Sequence, residues 1–392
     1  MNINIRYGVW LLPCLFNILP VAAEENHQTI SVKNEQLLQR IEALEYQQQQ
    51  MLKARKPKAT TAENTGNPSI SVIGTFNGSS LAGSKGVHQQ DFLPLSEGEF
   101  VLSAAVDVHT RLDVTLTAAG GSMSLEEGFL SVHLPESFRL RAGRKFIPLG
   151  RANEIHPHAL VYADRPNGLV NLFGSEKFIG DGVFIDAPFY AGDSVHSLMF
   201  GFFQNANAVA FDPIGENQFG EMLHWTGIWD INDSTTLELG GTYIHGKNGI
   251  SGNSSTDISG GYFAVKSSQF DHSGWSIEGE WNRSRVDKGV TAARVVTDGA
   301  YLLGEYDFNR NWLMFTRYDT SRMGGGYANE SAYSAGFAWK MSEFQSITLQ
   351  YKQTHNMLPE VAANLGVGVG TNANELLFRW VVAIGPHHPH RY

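Results

Sequence analysis

The stretch Thr236-Leu237-Glu238-Leu239-Gly240-Gly241-Thr242-Tyr243 sets Leu237, Leu239, Gly241 and Tyr243 against Thr236, Glu238, Gly240 and Thr242. A second stretch, Trp275-Ser276-Ile277-Glu278-Gly279-Glu280-Trp281-Asn282, sets Trp275, Ile277 and Trp281 against Ser276, Glu278, Glu280 and Asn282. In an extended chain successive side chains point to opposite faces, so each stretch has one apolar and one polar face. The period of two recurs at Leu112, Val114 and Leu116, at Ile347, Leu349 and Tyr351, and at Leu376, Phe378 and Trp380. A β-sandwich and a transmembrane barrel both show this alternation, so the alternation alone does not choose between them.

The connections do choose. From Ser69 onward about sixteen strands can be placed. They centre near Val72, Leu102, Leu116, Phe129, Leu140, Phe184, Phe200, Trp225, Leu239, Phe263, Ile277, Leu302, Phe315, Ala335, Leu349 and Phe378. Short turns fall at Val108-His109-Thr110, Pro135-Glu136, Ala191-Gly192-Asp193, Asn232-Asp233, Phe270-Asp271-His272, Asn309-Arg310-Asn311 and Ser342-Glu343. Longer polar or Gly-rich segments lie between them, at 83–94, 150–180, 206–220, 246–256, 283–297, 323–331 and 356–374, with Gly120-Gly121 the short exception. Such alternation is what an outer-membrane barrel gives, with tight periplasmic turns and longer outer loops. The expected fold is therefore all-β, a transmembrane antiparallel β-barrel of about sixteen strands over residues 69–392. An even strand number puts both ends of the barrel in the periplasm. Trp225, Trp229, Trp312, Trp339 and Trp380 lie near the expected strand ends, where interface girdles would place them.

Composition agrees without deciding. Of 392 residues, 17% are charged and 41 are glycine. After the first residues no apolar run reaches the roughly 20 residues that a membrane helix needs, and a barrel needs none. The start reads as a secretory leader over 1–23: Arg6, an apolar run over 8–21, then Ala22-Ala23 before Glu24-Glu25. Cys14 is the single cysteine, so no disulfide is expected in the exported chain. Within 24–52, Ile30, Leu37, Leu44 and Met51 fall seven apart, with Asn34, Ile41 and Gln48 in the second seam position. This predicts a short periplasmic coiled-coil helix, followed by a flexible linker over 53–68. The formal net charge of −10 gives no basic face for nucleic acid.

The third outer connection, 150–180, is the longest and holds Leu160, Val161, Leu169, Val170, Leu172 and Phe173. That apolar content argues for packing, and a loop folded into the barrel would narrow the lumen. Just before it, Arg139, Arg141 and Lys145 share one face of a strand, opposite Phe138, Leu140 and Ala142. With the apolar face on lipid, these cations line the pore, and Arg151 and Arg165 extend the row. A basic row attracts anions. The competing reading is charge balance against Glu127, Glu154, Asp164 or other lumen carboxylates, the three named being pore-lining candidates in their own right. His156 and His158 flank Pro157, and His387, His388 and His390 crowd the C-terminus. Imidazoles at this spacing are weak candidates for zinc or copper, since no third ligand is adjacent in the sequence. No Gly-x-Ser-x-Gly and no phosphate loop ending in Gly-Lys-Ser/Thr occurs, so neither an enzyme nor a cofactor is expected.

Several segments resemble a family of proteobacterial outer-membrane proteins akin to phosphate-selective porins of the O/P type. They are Asn67-Pro68-Ser69-Ile70-Ser71-Val72-Ile73-Gly74, Arg141-Ala142-Gly143-Arg144-Lys145-Phe146, His156-Pro157-His158, Asp164-Arg165-Pro166, Phe173-Gly174 and Ile384-Gly385-Pro386-His387. The likeness covers the start of the barrel, the third loop and the C-terminus. It implies a sixteen-stranded, trimeric channel, and it implies solute-binding roles for Arg139, Arg141, Lys145, Arg151 and Arg165. The chain departs from the family's pattern at its end, where Pro386 and Pro389 interrupt the last strand before Tyr392.

The leading functional expectation is passive diffusion of small hydrophilic solutes, anions among them, through a homotrimer embedded in outer-membrane lipid. The alternative is a barrel-based ligand- or metal-binding receptor or surface-interaction protein without channel activity. An energised receptor needs a plug domain ahead of the barrel, and the segment between Ala23 and Ser69 is too short for one.

Overall fold

The computed structural model describes residues 68–83, 88–91, 93–205, 207–211, 219–249, 254–269, 272–289 and 294–385. The leader, the coiled coil, the linker up to residue 67, the C-terminal histidines and Tyr392 lie outside the described residues.

The strands are β1 (Ser69–Gly83), β2 (His88–Asp91), β3 (Leu95–Ala105), β4 (Thr110–Ala119), β5 (Ser122–His133) and β6 (Arg139–Phe146). There follow β7 (Ile179–Ala191), β8 (Ser194–Asn205), β9 (Phe219–Asn232), β10 (Thr235–Lys247), β11 (Ser255–Ser268) and β12 (Gly274–Val286). The last are β13 (Val295–Asp307), β14 (Trp312–Met323), β15 (Glu330–Ser342), β16 (Gln345–His355) and β17 (Ala373–Ile384). Sixteen long strands pair antiparallel with their neighbours in chain order. β1 and β17 close the circle in register from Val72↔Ile384 to Gly83↔Ala373. Each centre read from the sequence falls inside one of these strands. Closure satisfies the backbone polar groups of both seam strands, which would otherwise be free edges.

β2 is an addition that the sequence reading assigned to a polar loop. β1 pairs with β3 from Ser69↔Ser103 to Phe76↔Leu95, and farther along the same side with β2 from Ser79↔Asp91 to Ala82↔His88. β2 thus continues the line of β3, broken at Pro94, which has no N–H to give to the ladder. Leu93 takes φ 48° at the break. Such a strand is set by backbone pairing, so its composition leaves little trace. At the other extreme, the two-residue turn between β4 and β5 has Gly120 at φ 58° and Gly121 at φ 80°. Positive φ at both central residues is the hairpin geometry that glycine adopts without strain.

The two faces of each strand differ as a barrel in lipid requires. Along β14, Leu313, Phe315, Arg317, Asp319 and Ser321 are buried inside, while Trp312, Met314 and Tyr318 face out. Elsewhere Phe200, Phe202, Leu302, Phe337, Leu349 and Tyr351 are exposed on the exterior, whereas Glu99, Lys352, Glu375 and Arg379 are buried in the interior. Apolar outside and ionic inside is the reverse of a water-soluble domain. Trp312 and Trp339 stack at 5.6 Å beside the short turn between β13 and β14, as a girdle would. Trp225, by contrast, sits mid-strand in β9. No helix among the described residues is long and apolar enough to cross a membrane.

Candidate functional site

The connection between β6 and β7, residues 147–178, turns inward and crosses the interior. It carries α1 (Arg151–Glu154), a 3-10 turn at Pro157–Ala159 and α2 (Asn167–Phe173). Pro166 presets the start of α2, accepting from Leu169 N at 2.9 Å, and Gly174 at φ 84° ends it, its N–H donating to Val170 O at 2.8 Å. All seven residues of α2 are buried. The helix lies backbone to backbone on the wall at Gly168 and Gly299. A Cβ on Gly168 would stand 2.8 Å from Ala300 N, and one on Gly299 would stand 2.4 Å from Gly168 O. Only glycine at both positions permits this approach.

The six apolar residues singled out in this loop all pack. Leu169, Leu172 and Phe173 join Ile147, Phe178, Phe203, Phe211, Tyr301 and Phe315 in one core, with Leu160 and Val161 at its margin. Val170 packs with Met357, Val361 and Ala362, the last two from α4 (Pro359–Asn364), a helix in the connection between β16 and β17 that follows α3 (Ala208–Phe211) in chain order. Burying one such side chain contributes about 1.5–3 kcal/mol, so several together supply most of the holding force.

Ion pairs set where the loop sits. Asp164 accepts from Arg317 at 2.9 Å and from Lys352 and Gln350 at 2.7 Å each. Burial alone would raise the Asp164 carboxyl, but Arg317 and Lys352 hold it well below the usual carboxylate range. Arg317 also meets Asp319 at 3.0 Å and lies over the Tyr162 ring at 4.5 Å. Arg379 donates to Pro157 O at 2.7 Å and also to Leu160 O. Arg151 reaches Glu238 at 2.5 Å and Glu278 at 2.8 Å. Buried pairs return little net stability once desolvation is subtracted, so their contribution is geometric.

What the loop leaves open is a cavity of about 750 Å³, bounded by β1, β3 to β10 and the loop. Arg139, Arg141, Lys145, Arg151, Glu127, Glu154, His156 and His158 all line it. Asp164 and Arg165 do not. The loop carries both away from the cavity, Asp164 into the Arg317 and Lys352 pairing and Arg165 against Asn153, which it meets at 3.0 Å. Burial brings Arg165 down to about 10.

The basic row is compensated. Arg139 meets Asp186 at 2.7 Å and Arg141 meets the same carboxylate at 3.7 Å. Arg111 meets Asp113, two residues along on β4, at 2.9 Å. Of the carboxylates proposed from sequence as balancing charges, Glu127 accepts from Phe146 N at 2.8 Å and contacts His156 at 3.2 Å. The charge of Lys145 acts on Glu127, while the partner of Arg139 and Arg141 is Asp186, whose backbone is in register with Arg139 across the β6–β7 ladder. Sequence reasoning missed it because the two residues are separated by the whole inserted loop. The signal that could have found it is the alternation Asp181, Val183, Ile185 against Gly182, Phe184, Asp186, which puts Asp186 on the inner face of the next strand.

The adjoining part of the wall, on β3 and β5, is acidic and holds the two loop histidines. Glu97 and Glu99 project inward from β3. A bulge in β5, where Thr115 pairs with Glu127 but Leu116 pairs with Leu125, leaves Glu126 unpaired and lets it join Glu127 on the inner side. His158 Nδ1 lies 2.8 Å from one Glu99 oxygen and His156 Nδ1 lies 3.4 Å from the other. The two rings stack at 5.6 Å. Burial would lower the His156 imidazole, but the carboxylates of Glu126, Glu127 and Glu99 gathered round it raise it well above its ordinary value.

No protein-family model and no curated protein sequence matches the chain. Solved structures do. An anion-selective porin from Comamonas acidovorans aligns over 81% of this chain and 100% of its own, at TM-score 0.57 and 11% identity. OmpT, an outer membrane protein of Vibrio cholerae, aligns over 81% and 98% at TM-score 0.53 and 10% identity. Salmonella typhi OmpF aligns over 81% and 98% at TM-score 0.52 and 11% identity. The fold is that of the porins of the Gram-negative outer membrane, and a closed sixteen-stranded barrel with an apolar exterior belongs in that membrane.

Proposed function

We propose that the chain is an outer-membrane channel for passive diffusion of small hydrophilic solutes. The observation that carries this reading is the cavity of about 750 Å³ inside the barrel, lined by five Arg or Lys and six carboxylates beside an inward-folded loop. Charged walls keep water in such a space and favour polar solutes over apolar ones. The structural likeness supports a porin-like channel at the level of the fold, and OmpT of Vibrio cholerae is described in a trimer form. A homotrimer is accordingly the assembly proposed for this chain.

The basic row makes anions one class of solute. Arg139 and Arg141 share Asp186, so a passing solute meets ion pairs more than a field of one sign, and the proposed selectivity among small ions is weak. Solute-binding roles for Arg139, Arg141, Lys145 and Arg151 follow from their place on the cavity. The test is a planar-bilayer recording of the purified protein. Stepwise openings of uniform size are expected, and a silent bilayer overturns the reading.

A further inference from the structure

We propose that Glu99, His156 and His158 form a binding site for a divalent transition-metal ion of the zinc class, joining the third loop to the β3 wall. The loop brings two imidazoles, and the wall brings a carboxylate that is 1% exposed. One donor atom from each lies within 4.8 Å of the other two. Zinc holds imidazole and carboxylate donors at about 2.0–2.2 Å in a tetrahedron, which sets them roughly 3.3–3.6 Å apart, and His156 Nδ1 already stands 3.4 Å from Glu99 Oε2. Two nitrogens and one oxygen form a borderline donor set, which suits zinc, copper or nickel better than calcium or magnesium.

Two further observations point to a ligand. The Oε2 of Glu99 and the Nδ1 of His156 are buried and make no hydrogen bond, though they face each other at 3.4 Å. An ion between them would serve both. The far nitrogen of His156, Nε2, lies 3.2 Å from Glu127 Oε2. A carboxylate behind a ligating imidazole fixes the ring and strengthens the donor, and it is the usual support of a zinc-bound histidine. Glu97 and Glu126, which together with Glu99 form a second group of close carboxylates, stand ready to supply a fourth ligand. Because the site faces the cavity, an ion can reach it from the lumen.

The proposal is independent of channel activity and is tested without conductance. The full chain is purified in detergent with His387, His388 and His390 replaced by alanine, so that the C-terminal histidines cannot contribute, and is titrated with zinc alone by calorimetry. One ion per chain is expected. His156→Asn with His158→Asn should remove that binding, and Glu127→Gln should weaken it roughly ten- to hundredfold. Absence of binding in the background protein overturns the proposal, as does binding kept by the double variant. Should the double variant fail to fold, the zinc-edge absorption spectrum of the background protein decides. A shell with two imidazoles supports the site, and a shell of oxygen donors alone overturns it.

Discussion

Asp164 in the third loop and Arg317 on β14 meet through both carboxylate oxygens at 2.9 Å, although 153 residues separate them in the sequence. With Asp319 on Arg317 and Lys352 on Asp164 they form one buried group, and removing a single charge from it leaves an excess that costs several kcal/mol. Asp164→Asn leaves Arg317 with Asp319 alone and Lys352 with the more distant Glu375. The variant is expected to lose about 3–5 kcal/mol of unfolding free energy in detergent. It should also show larger, noisier conductance steps, since the loop is then free to move in the lumen. Wild-type stability together with wild-type conductance would remove the pair from this role.

Asp186 is the fulcrum of ion preference. Asp186→Asn uncovers Arg139 and Arg141 and should move the reversal potential toward anions. Gln at Arg139, Arg141 and Lys145 together should move it toward cations. Fixed charge beside a narrow pore sets the local ion concentration, and the effect should fade at 1 M salt, where the Debye length is about 3 Å. Shifts of the same sign in both variants would show that these residues do not face the ion path.

Epitope tags test the orientation. Tags in the connections at 248–254 and 324–329 should be labelled on intact cells, and tags at 233–234 and 343–344 should not. The reverse pattern would turn the barrel over in the membrane.

Lys177 gives a pH dependence. It stands near the end of the third loop and donates back to Ile155 O at 2.7 Å and also to Ala152 O. Burial, with Arg165 nearby, brings it from 10.5 down to about 7. From pH 7 upward the folded lysine is neutral while the unfolded one still binds a proton. The unfolded state then holds the extra proton, so stability rises with pH across that window and is lost as pH falls toward 7. Melting temperatures of the wild type should climb relative to Lys177→Met between pH 7 and pH 10. Parallel curves would show that the ammonium stays charged in the fold.

The helix α2 depends on its glycine contact. Gly299→Val should push α2 off β13 and cost about 1–3 kcal/mol, as forced overpacking does. Faster cleavage of the third loop by added protease would report the displacement, and unchanged cleavage would mean that the wall yields instead.

Much of the fold was legible because lipid and lumen impose opposite demands on alternate residues. Leu237, Leu239 and Tyr243 could be read against Glu238 and Thr242 without knowing any neighbour. The inward fold of the third loop was legible from Leu169, Leu172 and Phe173, which have no place on a solvated loop. Its polar partners were not. Arg317, Lys352 and Arg379 look like any inner-face residues until the loop is laid across them. The bulge at Glu126 and the pairing of β2 are decided by ladder geometry, which local composition does not encode. Asp164 and Arg165 suit the pore by charge alone, as counter-charge and extension of the basic row, and only the path of the loop carries them away from the cavity into other pairings. The pairing of Glu99 with His156 and His158 joins two segments more than fifty residues apart, so spacing along the chain carried no sign of it.

The third loop also bears on the order in which the molecule is made. Its hydrogen bonds end on β3, β5, β10, β12, β14, β15, β16 and β17. Neighbouring strands can pair as soon as each hairpin leaves the assembly machinery, since the sixteen long strands pair in chain order and across the single β1–β17 seam. The loop cannot settle that way, because most of its partners are synthesised after it. Asp164 waits for Arg317 and Lys352, and the carbonyls of Pro157 and Leu160 wait for Arg379 on the last strand. Ordering of the loop is therefore tied to closure of the seam, and a barrel arrested before its final strand joins would hold an open, unplugged gap.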